Sequence, residues 1–170
     1  AAADEAARYT QGTLPNGLAF AGNGDILISN FGTDCLEIMQ RDGTTRLLVD
    51  NIDGEPIGKV NFVLRDSKDR LWITVTTRVK NWIDALRPDL AAGYIARHAD
   101  RGLHILAEGF QFTNEVRFDR DEKYIYVVET TGGCVSRLEA DADGELHNRE
   151  IFGPSHMGDG AYPDGIAFDS

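Results

Sequence analysis

The chain reads as an all-β fold of radially repeated four-stranded units, a β-propeller, and three observations predict it. One pattern recurs four times: Leu14-Pro15-Asn16-Gly17-Leu18, Lys59-Val60-Asn61-Phe62-Val63, Phe112-Thr113-Asn114-Glu115-Val116 and Tyr162-Pro163-Asp164-Gly165-Ile166. Its central polar residue returns after 45, 53 and 50 positions, the period that propeller blades produce. Behind each polar residue, apolar positions alternate with a period of two and end in turns rich in Gly, Asn or Asp.

Inner strands are therefore expected at 18–20, 62–64, 116–118 and 166–168. More apolar second strands follow at 25–29, 70–75 and 124–128, third strands at 35–40, 93–98 and 134–138, and fourth strands at 45–49, 103–107 and 145–152. This makes three complete blades and the first strand of another, over a partial propeller domain at 14–170 behind a tail at 1–13. Closing a ring and hiding its sheet edges takes more blades. The expectation is a fragment, or a chain that finds its missing blades elsewhere.

Composition narrows the function. A net charge of -11 over 170 residues leaves no basic stripe to displace counterions from phosphates, which argues against nucleic acid and is compatible with cation binding. No run approaches the roughly 18 apolar residues of a membrane span, so no membrane partner is expected. Cys35 and Cys134 open the third strands of the first and third units, too far apart for a disulfide. They read as free, buried thiols suited to a reducing, cytoplasmic setting. The start, Ala1 to Arg8, lacks a signal-peptide profile.

Inner strands of a propeller line its axis, so Asn61, Asn114 and Asp164 are expected to converge from successive units. Three oxygen donors around one point suit a hard divalent cation, calcium first, with zinc, magnesium or manganese as alternatives. The competing explanation is that Asn and Asp recur because they end a loop and bond their own backbone. Asn16 shares the phase, and a substrate contact or a turn ranks ahead of a fourth ligand. Lys59, two residues before Asn61, is a candidate substrate contact or a solvated loop lysine. The long connection from Thr76 to Ala92 has the length of a lid, and its Arg78 and Trp82 are candidates for substrate contact or packing, with one helical turn near Trp82. His156, close before Asp164, is a candidate acid or base or an exposed loop histidine. Asp141 to Glu145 reads as a turn. Signatures of a serine elbow, a phosphate loop or a dinucleotide fold are absent from the sequence.

These stretches, with Asp66-Ser67-Lys68-Asp69-Arg70-Leu71-Trp72, Tyr124-Ile125-Tyr126-Val127 and Ile166-Ala167-Phe168-Asp169, resemble the senescence-marker-protein, gluconolactonase and luciferin-regenerating-enzyme-like family, which includes regucalcin. The resemblance implies a six-bladed propeller, a divalent metal on the axis and lactone hydrolysis. It makes Asn61 and Asn114 the amide ligands, and Asp164 a ligand and the general base. It also implies a glutamate ligand one blade before Asn16, where the sequence offers only Glu5 in a stretch without strand pattern. A small-molecule lactone is the implied partner. The alternative is a non-catalytic half-propeller binding calcium or a small ligand. Three blades are half of six, so a homodimer could complete the ring.

Overall fold

The computed structural model describes residues 12–99 and 102–169. Glu5 and nearly all of the tail at 1–13 lie outside the described residues. The first antiparallel sheet contains β1 (Pro15–Phe20), β2 (Ile26–Asn30), β3 (Cys35–Met39) and β4 (Thr45–Val49), in that order. A two-stranded hairpin, β5 (Asn51–Ile52) and β6 (Glu55–Pro56), leads to the second sheet. That sheet is ordered β7 (Val60–Arg65), β8 (Leu71–Val75), β9 (Gly93–Ala99) and β10 (Gly102–Phe110). The third is ordered β11 (Thr113–Phe118), β12 (Tyr124–Glu129), β13 (Cys134–Ala140) and β14 (Leu146–Ile151). Each is a four-stranded meander, as the alternation predicts. Trp82–Ala85 form a short 3-10 helix in the connection between β8 and β9.

The three β1–β2-type hairpins share one backbone solution. Gly24, Asp69 and Glu122 hold φ of 85°, 69° and 53° at equivalent places, the left-handed region in which glycine carries no Cβ penalty. In the second and third sheets a carboxylate compensates for the missing glycine. Asp66 Oδ1 accepts from the Lys68 and Arg70 amides at 3.0 and 2.8 Å, and Asp119 Oδ1 from those of Lys123 and Tyr124 at 2.8 and 3.1 Å. The Asp141 turn has both devices, with Gly144 at φ of 81° and the Asp141 carboxylate accepting from the Asp143 and Glu145 amides.

The core lies between the sheets. Leu27, Leu36 and Ile38 pack with Ile52 and Ile57 of the hairpin region against Val63, Ile73 and Val75 of the second sheet. The other face of that sheet presents Phe62, Trp72 and Ile95 to Val116, Ile125 and Val127 of the third. Successive residues of a strand point to opposite faces, so a sheet covered on both sides needs a continuous apolar run. This accounts for Leu71-Trp72-Ile73-Thr74-Val75. Gly17 marks a close approach of the first two sheets, since a Cβ there would lie 2.8 Å from Phe62 Cα.

Two expectations change. The inner strands start earlier than predicted, because Asn16, Asn61 and Asn114 lie within β1, β7 and β11 rather than before them. The inner strand expected at 166–168 joins no ladder. A strand is held by its neighbours, and none is available to it among the described residues. Instead Phe168 meets Tyr126 edge-to-face at 5.0 Å, and Ile166 packs against Tyr126, Val128 and Val135 on the third sheet's other face. Cys35 and Cys134 are free and buried, and burial pushes both thiols up. Among the described residues no helix is long and apolar enough to cross a membrane.

Candidate functional site

Each inner strand is bulged at its repeated polar residue. Val60 faces Val75 and Phe62 faces Thr74, so Asn61 is the extra residue of β7. The same one-residue excess falls between Thr113 and Val116 in β11 and between Pro15 and Leu18 in β1. A bulge re-aims a side chain out of the pleat. Here three bulges at one phase carry Asn16, Asn61 and Asn114 into one cleft of about 320 Å³, where Asp164 joins them.

Threonine hydroxyls decide how the amides face. Thr76 Oγ1 donates its one hydrogen to the Thr113 carbonyl at 2.7 Å, so it can only accept from Asn61 Nδ2, 3.1 Å away. Thr130 Oγ1 likewise donates to the Pro163 carbonyl at 2.8 Å and accepts from Asn114 Nδ2 at 3.0 Å. The second amide proton of Asn114 goes to Asp164 Oδ1. Both amides are thereby fixed with nitrogen toward the hydroxyl, which leaves each Oδ1 as the atom on offer. Asn61 is 3% exposed, and its Oδ1 is buried without a hydrogen-bond partner. An orphaned acceptor of this kind costs about 1–3 kcal/mol unless something positive meets it.

The hydroxyls also tie sheet to sheet. Ser29 Oγ donates to the Asn61 carbonyl and Thr74 Oγ1 to the Asn114 carbonyl, both at 2.7 Å. The bulges of β7 and β11 are each clamped by the sheet before them.

Aromatic rings form the cleft wall. Trp82 stands edge-on to Phe31 at 5.7 Å and to Phe112 at 6.3 Å between ring centroids, and all three line the cleft with Leu14 and Pro15. Phe112 holds φ of 59°. A bulky residue in the left-handed region costs about 1–3 kcal/mol and clusters at functional sites. Neither Phe31 nor Phe112 was identified from the sequence. Phe112 stands two residues before Asn114 in the repeated motif, and this was the only available signal.

Of the residues expected at the site, Asn16, Asn61, Trp82, Asn114 and Asp164 share the cleft. Lys59 is 3% exposed, ion-paired with Asp34 at 2.8 Å, and set 5.9 Å from the Phe31 ring. Arg78 stacks over Tyr94 at 5.0 Å. His156 is exposed beside the Gly133 turn, and its Nδ1 accepts from the Gly158 amide at 3.1 Å. No group of three or more His, Cys, Asp or Glu suited to a metal occurs among the described residues. A cation in this cleft would therefore depend on the two amide oxygens beside the one carboxylate, a hard-donor set that fits calcium or a similar divalent ion.

Comparison with known proteins adds to this geometry. The sequence profile of the family described as SMP-30/Gluconolactonase/LRE-like region matches residues 2–170. No curated protein sequence matches significantly. Among solved structures, a gluconolactonase from Xanthomonas campestris is 24% identical, with a TM-score of 0.73 over 91% of this chain and 52% of its own. Regucalcin from Agrobacterium tumefaciens, a calcium-binding protein, is 22% identical, with a TM-score of 0.66 over 88% of this chain and 48% of its own. A luciferin-regenerating enzyme is 18% identical, with a TM-score of 0.66 over 82% and 47%. The chain thus spans about half the length of these structures.

Proposed function

Because the chain belongs to the SMP-30/gluconolactonase/LRE-like family, we propose that it forms part of a β-propeller whose axial cleft hydrolyses a lactone with the aid of a divalent cation, calcium foremost. The observation that carries this reading is the buried, partnerless Oδ1 of Asn61, a residue that lines one cleft with Asn114 and Asp164. Asn61, Asn114 and Asp164 would hold the ion, which when bound supplies positive charge for the lactone carbonyl oxygen.

The residues divide the remaining work. Asn114 Nδ2 engages Asp164 Oδ1 and so orients the carboxylate, leaving Oδ2 to accept a proton from the attacking water. The water oxygen bonds to the carbonyl carbon and the ring C–O bond breaks. The proton passes from Asp164 to the departing alkoxide, giving a hydroxy acid. Asp164 itself is exposed and can exchange protons with solvent. Asn16 and Trp82 at the cleft wall contact the substrate, with Lys59, Arg78 and His156 as outer candidates.

A second reading is a calcium-binding site without turnover. It is favoured by the lining of the cleft among the described residues, where Asp164 is the one carboxylate, few charges for a reactive centre. Three four-stranded sheets are half of a six-bladed ring, so two copies would complete one. Sedimentation at dimer mass is the expected result, and a monomer removes that assembly.

The deciding experiment follows proton release from a panel of five- and six-membered lactones with metal-stripped protein, with and without calcium or zinc, beside Asp164→Ala. Metal-dependent turnover that falls about 100- to 10,000-fold in the variant supports the hydrolase. Metal binding without turnover selects the second reading.

A further inference from the structure

The structure assigns Glu115 as a positioning residue: next in sequence to Asn114, it holds the backbone of Asp164 and so keeps that carboxylate at the cleft. The role rests on the proposed reading of Asp164 as ligand and base, while the contact stands on geometry. Asp164 lies in a segment that joins no ladder, so something other than strand pairing fixes it. Before it, the Pro163 carbonyl accepts from the Thr130 hydroxyl at 2.8 Å. At its side chain, Oδ1 accepts from the Asn114 amide. After it, Glu115 supplies the polar contact.

Glu115 brackets the peptide on two sides. Its backbone N–H donates to the Asp164 carbonyl, and its Oε2 accepts from the Ile166 N–H, each at 3.5 Å. A paired strand would offer an amide and a carbonyl there. Glu115 offers an amide and a carboxylate, whose charge strengthens a long bond. Gly165 makes the room, since a Cβ on it would lie 3.3 Å from both Cδ and Oε1 of Glu115.

The carboxylate is itself held. Arg117 Nη2 pairs with Glu115 Oε2 at 3.0 Å, and the guanidinium stands 4.4 Å from the centroid of the Phe62 ring. Phe62, Glu115 and Gly165 each follow a candidate ligand, Asn61, Asn114 and Asp164 in turn. One file of contacts therefore runs from ring to guanidinium to carboxylate to peptide, and sets the three ligand positions against one another. Arg117 also offsets the charge that Glu115 brings near Asp164.

The test compares the unsubstituted protein with Glu115→Ala, Glu115→Gln and Gly165→Ala, with melting temperatures checking the fold. Hydrogen exchange at the Ile166 amide reads the contact without metal or substrate, and should quicken about fivefold or more in Glu115→Ala. Calcium affinity, read by displacement of terbium luminescence, should fall about tenfold in that variant, and lactone turnover should lose kcat rather than gain KM. Glu115→Gln keeps an acceptor for the Ile166 amide and should stay within about threefold of the unsubstituted protein. Gly165→Ala crowds the carboxylate without removing it and should reproduce most of the Glu115→Ala loss. Unchanged Ile166 exchange in Glu115→Ala overturns the inference, as does Glu115→Gln behaving no better than Glu115→Ala. A lower melting temperature with calcium affinity and kcat intact overturns it too, since that is a structural role alone. Calcium affinity that depends on Glu115 without any turnover removes the hydrolase and keeps the positioning role. Turnover indifferent to Glu115 does the reverse.

Discussion

The first and second sheets carry the same motif and treat it differently. In the second, Asn61 is buried, and its amide is held by Thr76. In the first, the position equivalent to Thr76 is Phe31, and Asn16 is exposed. The difference extends to the hairpins: Asp66 anchors the second, accepting from Trp72 Nε1 at 2.9 Å, whereas the first has Ala21 at that place. Under the proposed cation site, an asparagine at the right phase is therefore not enough to make a ligand. A hydroxyl whose own hydrogen is already committed must turn the amide, and the second and third sheets provide one while the first provides an aromatic wall.

The largest test of that contrast is a pair of substitutions. Asn61→Leu should weaken calcium, read by displacement of terbium luminescence, about 100-fold or more, because it deletes a donor outright. Equal losses in Asn61→Leu and Asn16→Leu would erase the distinction between the sheets. Next, Thr76→Val should cost about 10-fold in the same assay, because it removes the hydroxyl that orients the Asn61 amide, while Thr76→Ser restores affinity.

A third prediction concerns the hairpin anchor. Burial alone would raise the Asp66 carboxyl, but hydrogen bonds from Trp72 and Arg70 outweigh it and hold the group below the usual carboxylate range. A carboxyl depressed in the folded state adds stability that is complete above its unfolded value near ~3.9. That stability is lost as pH falls toward the folded value. Asp66→Asn should thus lower stability by about 1–3 kcal/mol at pH 7, and the gap to the unsubstituted protein in thermal melts should narrow below about pH 4. A gap that widens in acid would contradict the assignment. The smallest effect is expected for Asn16→Leu: a change in metal affinity under about threefold, with any loss appearing in KM.

Much of this was readable from residues. The spacing of Asn16, Asn61, Asn114 and Asp164 marked the sheets, and the alternation after Asp25, Arg70 and Tyr124 marked their second strands, because period-two burial leaves a direct imprint on sequence. The bulges were not readable, since a bulge is a mismatch in register between two paired strands, which neither strand's own alternation reveals. Nor were Thr76 and Thr130, whose role depends on carbonyls 37 and 33 residues away. Phe31 and Phe112 were hidden for a related reason: the sequence shows an apolar residue, not whether it faces a core or a cleft. The expected inner strand at 166–168 had the pattern of its three predecessors, but pattern without a ladder partner does not make a strand.

The hydroxyl clamps also have a direction. Ser29 holds Asn61, Thr74 and Thr76 hold Asn114 and Thr113, and Thr130 holds Pro163 beside Asp164; in every case a hydroxyl of an earlier sheet grips backbone that follows that sheet. The dependence nevertheless runs both ways, because the Thr113 carbonyl of the third sheet commits the Thr76 hydrogen and so fixes the Asn61 amide of the second. A gene cut between those two sheets would lose site geometry on both sides of the cut.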